Sequence, residues 1–121
     1  MPILTENRGQ IAILRPHGHI DKSMAVELEE LLATAIDDGA INLVIDFSAV
    51  AHIGSDGLKV ILGGLKRLQT CGGRLVQAGA SEDVRAVLDV AGFFALLGQF
   101  DTVDEAVSRL QEAGAGPAVA N

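Results

Sequence analysis

The chain has no tryptophan, no tyrosine and only four phenylalanines among its 121 residues. Without aromatic rings to stack on bases, it offers no platform for single-stranded nucleic acid. Positive charge is also scarce: nine Lys and Arg stand against sixteen Asp and Glu, a formal net charge of −7. No local basic run offsets that balance, so phosphate backbones are repelled and nucleic acid is not an expected partner. A single cysteine, Cys71, excludes an internal disulfide, and no CxxC or Cys/His cluster offers zinc a site. Cys71 reads as a small apolar side chain near a helix end. No apolar run approaches the ~20 residues that cross a bilayer, so no membrane span is expected. The first residues, Met1-Pro2-Ile3-Leu4-Thr5-Glu6-Asn7, lack the charged start and apolar core of a secretory signal, which points to the cytoplasm.

What is present is apolar residue in quantity, 49% of the chain, enough for one domain with a real core. Ile11-Ala12-Ile13-Leu14 reads as a strand ending at Arg15-Pro16, with residues 3–6 as a short partner across a turn at Asn7-Arg8-Gly9. From Ser23 the period becomes helical: Met24, Leu28, Leu31, Leu32 and Ala35 share a face, Asp21 suits an N-cap, and Asp37-Asp38-Gly39 stops the helix. Ile41 to Phe47 is apolar without alternation, as in a strand covered on both faces. A second helix, starting near Ser55, carries Leu58, Ile61, Leu62, Leu65 and Leu68 on one side and breaks at Cys71-Gly72-Gly73.

Arg74 to Ala78 is a further strand, and Ser81 caps a third helix with Glu82 and Asp83 in its first turn. A short strand is expected near Gln99-Phe100, after the apolar run Phe93 to Leu97. Thr102-Val103-Asp104-Glu105 reads as a capping box opening the last helix. The domain is therefore placed at residues 1–112, and 113–121, which has no periodicity, is expected to be a disordered tail. Alternation of this kind predicts an α/β fold: a four- or five-stranded, mostly parallel sheet with four helices.

One segment stands out for chemistry. In Asp46-Phe47-Ser48-Ala49-Val50-Ala51-His52-Ile53-Gly54-Ser55-Asp56-Gly57-Leu58, a buried strand runs through a loop to a hydroxyl at a helix mouth. Ser55 can be a phosphoacceptor, favoured by the free N–H groups and dipole of the helix start, or Ser-Asp-Gly can simply cap and turn the chain. Asp46 is expected to cap or orient the loop beneath Ser55. His17 and His19, two apart on a strand, would share a face, but no third ligand is evident and no metal site is expected.

Those residues carry a resemblance to the STAS domain family, and in particular to stand-alone bacterial anti-anti-sigma factors (anti-sigma factor antagonists). It covers about residues 8–112. Gly18-His19-Ile20-Asp21 resembles the family's glycine, variable, apolar, aspartate pattern, and Asp46 to Leu62 resembles its central signature. Val84-Arg85-Ala86-Val87-Leu88-Asp89-Val90-Ala91-Gly92-Phe93 is similar to its third-helix pattern. The resemblance implies a non-enzymatic partner switch. Unphosphorylated, the protein would bind a serine kinase that is also an anti-sigma factor, an ATPase of the histidine-kinase-like type. Phosphorylation of Ser55 would release it, and a PP2C-type phosphatase would restore the hydroxyl. Asp21, His19, Gly54, Asp56, Gly57 and Leu58 are implied to form the partner-binding surface, with Asp21 close to Ser55. The chain departs from the usual motif at Gly54-Ser55-Asp56-Gly57, where the acid follows the acceptor instead of preceding it.

Two other readings bear on the same residues. A STAS module could control a non-sigma effector, as in stressosome-like complexes. A response-regulator receiver would need an acidic pair for Mg²⁺ after the first strand, and Arg15-Pro16-His17-Gly18 has none. The late-strand lysine it needs is missing from Val76-Gln77-Ala78-Gly79-Ala80. No Walker A loop, GxGxxG, nucleophile elbow or triad is present, so neither an enzyme nor a cofactor is expected.

Overall fold

Apolar runs of five residues alternate with amphipathic helices along most of the chain, and the computed structural model, which describes residues 3–93 and 97–115, folds them accordingly. The elements are β1 (Leu4–Arg8), β2 (Ile11–Arg15), β3 (Gly18–Ile20), α1 (Lys22–Asp37), β4 (Asn42–Asp46), β5 (Val50–Ile53), α2 (Ser55–Thr70), β6 (Arg74–Ala78), α3 (Glu82–Val90), β7 (Gly98–Phe100) and α4 (Val103–Ala115). Five strands form one sheet in the order β1-β2-β4-β6-β7, while β3 and β5 pair separately. The β1–β2 hairpin is antiparallel and the other pairings are parallel. The expected α/β class, mostly parallel sheet and four helices are all found.

Side chains alternate across each strand, so the sheet has two apolar faces. Ala12, Leu14, Leu43, Ile45 and Leu75 join Leu28, Leu32, Ile61, Leu65, Leu68, Val84 and Leu88, which seats α1, α2 and α3 on one face. Ile11, Ile13, Val44, Val76 and Ala78 meet Val103, Ala106, Val107 and Leu110 of α4 on the other. One helix cannot cover that second face. Its open side, over β1 and β2, is crossed by a chain of ion pairs. Arg8 reaches Asp104 and Glu6, each at 2.7 Å, and Arg15 reaches Glu6 at 2.7 Å and Asp46 at 2.6 Å. The guanidinium of Arg8, and then that of Arg15, hold the Glu6 carboxyl below its ordinary pKa.

Three sequence expectations are corrected. β1 continues to Arg8, so the hairpin turns at Gly9-Gln10, with Gly9 in the left-handed region at φ 63°. The stretch after Phe47, expected as loop, contains β5, which pairs with a separate β3. The last helix continues past residue 112 to Ala115. Phe94, Ala95 and Leu96, and residues 116–121 of the expected tail, lie outside the described residues. Among the described residues, no helix is long and apolar enough to cross a membrane.

Candidate functional site

The site is built on the β3–β5 ribbon. Gly18 aligns with Val50, His19 with His52 and Ile20 with Ile53, with an irregularity between Gly18 and His19. Ile20 and Ile53 are buried and fix the ribbon to the core, while His19 and His52 point to solvent. Beyond the last pair, the Gly54 N–H donates to the Ile20 carbonyl at 3.1 Å. That bond sets the start of α1, at Asp21, beside the start of α2, at Gly54.

The two helix starts differ in chemistry. Asp21 Oδ1 accepts from the Met24 N–H at 3.0 Å and from Ser23 Oγ at 3.1 Å, so it is the N-cap of α1. The Met24 N–H, and after it the Ser23 hydroxyl, hold the Asp21 carboxyl below its ordinary pKa. Ser81 caps α3 through the Val84 N–H at 3.2 Å, and Thr102 caps α4 through the Glu105 N–H at 3.1 Å. The Thr102 box closes one residue early, because Glu105 accepts from the Asp101 N–H. Of the four described helices, α2 alone begins on a residue with no side chain: its N-cap is Gly54, in extended conformation. Its first N–H groups are left to solvent or to an added acceptor.

Ser55 is the first residue of α2 and is exposed. It does not cap the helix. Asp56 is also exposed and places an acid in the first turn. Leu58 is half-buried against the main core. Gly57 is buried, and a Cβ built on it would lie 2.7 Å from Ile20 Cγ2 and 2.9 Å from Ile53 Cγ1. Gly57 therefore serves the site by letting α2 settle on the ribbon, not by offering surface. Ser55 shares the exposed side of α2 with Lys59, Gly63 and Lys66.

One further expectation is refined and one is revised. Asp46 is buried and accepts from Arg15 at 2.6 Å and from the Ser48 N–H at 2.9 Å. It thus fixes the start of the β4–β5 loop and ties it to the ion-pair chain, with no hydrogen bond to the Ser55 turn. His17 precedes β3, and its Nε2 is buried without a hydrogen-bond partner among the described residues. The ring beside His19 is that of His52, with centroids 5.7 Å apart. Neither this pairing nor the Arg15–Asp46 bond was legible in the sequence, since each joins residues about thirty apart. Among the described residues, no three His, Cys, Asp or Glu cluster together.

Known proteins resemble this chain in sequence and in fold. The family described as STAS domain matches residues 2–106. BtrV of Bordetella bronchiseptica, named as an anti-sigma factor antagonist, is 33% identical over 79 residues, 65% of this chain and 68% of that one. RsfB of Mycobacterium tuberculosis, named as an anti-sigma-F factor antagonist, is 43% identical over 51 residues, so the match spans only 42% of each chain. Among solved structures, a Thermotoga maritima protein described as an anti-sigma factor antagonist superposes with a TM-score of 0.85 at 22% identity, covering 90% of this chain and 94% of that one. The anti-sigma factor antagonist SpoIIAA in its unphosphorylated form gives 0.82 at 23% identity, covering 91% and 96%. The phosphorylated form of SpoIIAA from Bacillus gives 0.73 at 23% identity, covering 88% and 97%. At these identities the structural likeness shows the fold.

Proposed function

The chain belongs to the STAS domain family, and from that premise we propose that it is a cytoplasmic anti-sigma factor antagonist switched by phosphorylation of Ser55. The observation that carries this reading is the helix start itself. Ser55 is exposed at the head of α2, which alone among the described helices lacks a side-chain cap, so the N–H groups behind its hydroxyl can donate to an anion. That the capping position belongs to Gly54 supports the acceptor reading over the cap reading.

The unphosphorylated protein binds a serine kinase that is also an anti-sigma factor, and so frees the sigma factor. The contact surface comprises Asp21, His19, Gly54, Ser55, Asp56 and the exposed edge of Leu58, held in place by Gly57. Phosphorylation adds about −1.5 to −2 charges, whose desolvation in the interface opposes binding. A PP2C-type phosphatase resets the switch. Asp21, already capping α1, lies one residue from the Gly54 contact and can also orient the Ser55 hydroxyl or meet the kinase.

Affinity capture from native-cell lysate, with wild type and Ser55→Glu as parallel baits, tests the reading. Wild type is expected to recover a serine kinase that the Glu variant loses, and intact mass is expected to show one phosphate that Ser55→Ala abolishes. A phosphate persisting in Ser55→Ala, or identical captures by both baits, would overturn it.

A further inference from the structure

We propose that His19 and His52 form a two-histidine site for a divalent transition metal ion of tetrahedral preference, Zn²⁺ above all, on the outer face of the β3–β5 ribbon. The two residues are register partners on adjacent parallel strands and both are exposed. The residues that follow them, Ile20 and Ile53, are 0% and 1% exposed, so the backbone beneath both imidazoles is anchored in the core.

The separation of the rings suits a shared ion. A metal–nitrogen bond of ~2.0–2.1 Å places each ring centre ~3.2 Å from the ion, so two imidazoles on one ion at ~110–130° have centres about 5.2–5.8 Å apart. The ring centroids of His19 and His52 are 5.7 Å apart, with planes inclined at 52°. Neutral imidazole is the commonest protein ligand for these metals. Neither ring is engaged in an ion pair among the described residues, so both are available. No third His, Cys, Asp or Glu among the described residues completes the set. The remaining positions are thus open to water or to a side chain of a bound partner.

The site has a physical consequence for the face around it. A two-stranded ribbon is weak by itself. An ion bridging His19 and His52 ties β3 to β5 directly before Asp21 and Gly54-Ser55, and sets two positive charges on a chain of net charge −7. The inference does not rest on Ser55 being phosphorylated, since it concerns only the ribbon.

The test is calorimetric titration of the full chain, free of any polyhistidine tag, with ZnCl₂ and with NiCl₂. One ion per chain is expected. Loss of a second-sphere partner already weakens metal binding 10–100-fold, so His19→Gln and His52→Gln are each expected to weaken it by about tenfold or more. His17→Gln is expected to bind as wild type does. Absence of saturable binding, or affinity unchanged in both His19→Gln and His52→Gln, would overturn the site. One ion per two chains, each supplying its histidine pair to half of a tetrahedral set, would still support the site provided both Gln variants weaken it. Should a variant misfold by circular dichroism, Cu²⁺ paramagnetic resonance on wild type decides: coupling to two imidazole nitrogens supports the site, and oxygen-only coordination excludes it.

Discussion

Gly57 rests on Ile20 so closely that a methyl group at position 57 would lie 2.7 Å from Ile20 Cγ2. The glycine is in a helix and has ordinary backbone geometry, so it is contact, not conformation, that requires it. Gly63, six residues on, has nothing within 4 Å of a built Cβ. The two positions should therefore respond with opposite sign. Gly57→Val overpacks the ribbon and is expected to cost about 1–3 kcal/mol, displacing the first turn of α2 and Ser55 with it. Gly63→Ala removes a helix-interior glycine and is expected to gain about 0.5–1 kcal/mol. Urea unfolding of the two variants checks both, and a stabilised Gly57→Val would show that α2 is not seated as described.

The Arg15 guanidinium links a half-buried partner, Glu6, to a buried one, Asp46. The loss on cutting the chain should depend on which end is cut. Arg15→Met leaves the Asp46 carboxylate buried with only the Ser48 N–H for company, and is expected to destabilise by about 1–3 kcal/mol. Asp104→Asn at the exposed end is expected to leave stability within about 0.5 kcal/mol of wild type. Equal losses from both, in denaturant midpoints at constant slope, would mean that the burial of Asp46 carries no weight.

This chain of charges also marks where sequence reading stops. The alternation of apolar strands and amphipathic helices was legible because each depends on neighbours within a few residues. The caps at Asp21, Ser81 and Thr102 were legible for the same reason. β5 was not: in Val50-Ala51-His52-Ile53 the two middle residues are both exposed, so neither alternation nor a buried run appears. Its partner β3 is three residues long and lies thirty positions upstream. Asp46 does hold the start of the loop after β4, through the Ser48 N–H, but its second partner was not legible, because the cation, Arg15, belongs to β2. Ser55 was found by motif, yet the missing cap of α2 became visible only when Gly54, rather than Ser55, proved to occupy the capping position.

Acid should loosen the α1 start in a specific way. The Asp21 carboxyl titrates below its ordinary value of 3.8 because the Met24 N–H and Ser23 hydroxyl favour the anion. A depressed folded pKa contributes stability that is fully present above the unfolded value and is lost as pH falls through the folded one. Glu6, held below 4.5 by Arg8 and Arg15, acts in the same direction. Asp21→Asn keeps a capping oxygen but removes the titration. Its stability deficit relative to wild type is expected to be constant at neutral pH and to shrink below about pH 4. Denaturation series from pH 7 to pH 2.5 read this directly, and a deficit that grows on acidification would contradict the capping geometry.

Asp56 sets two effects against each other. Its carboxylate lies in the first turn of α2, where it favours the helix dipole by about 0.3–1 kcal/mol. With Ser55 as the acceptor, the same charge faces a phosphate of about −1.5 to −2 on the adjacent residue. At an exposed site this repulsion is of order 1 kcal/mol, or roughly fivefold in phosphate occupancy. Asp56→Asn should therefore lower thermal stability slightly while raising the phosphorylated fraction, measured by intact mass on protein recovered from native cells. On the proposed reading, placing the acid after the acceptor would bias the chain toward the unphosphorylated, partner-binding form. A phosphorylated fraction that falls in Asp56→Asn would show that the place of Asp56 in the kinase contact outweighs its repulsion of the phosphate, and the bias would have to come from elsewhere in the loop.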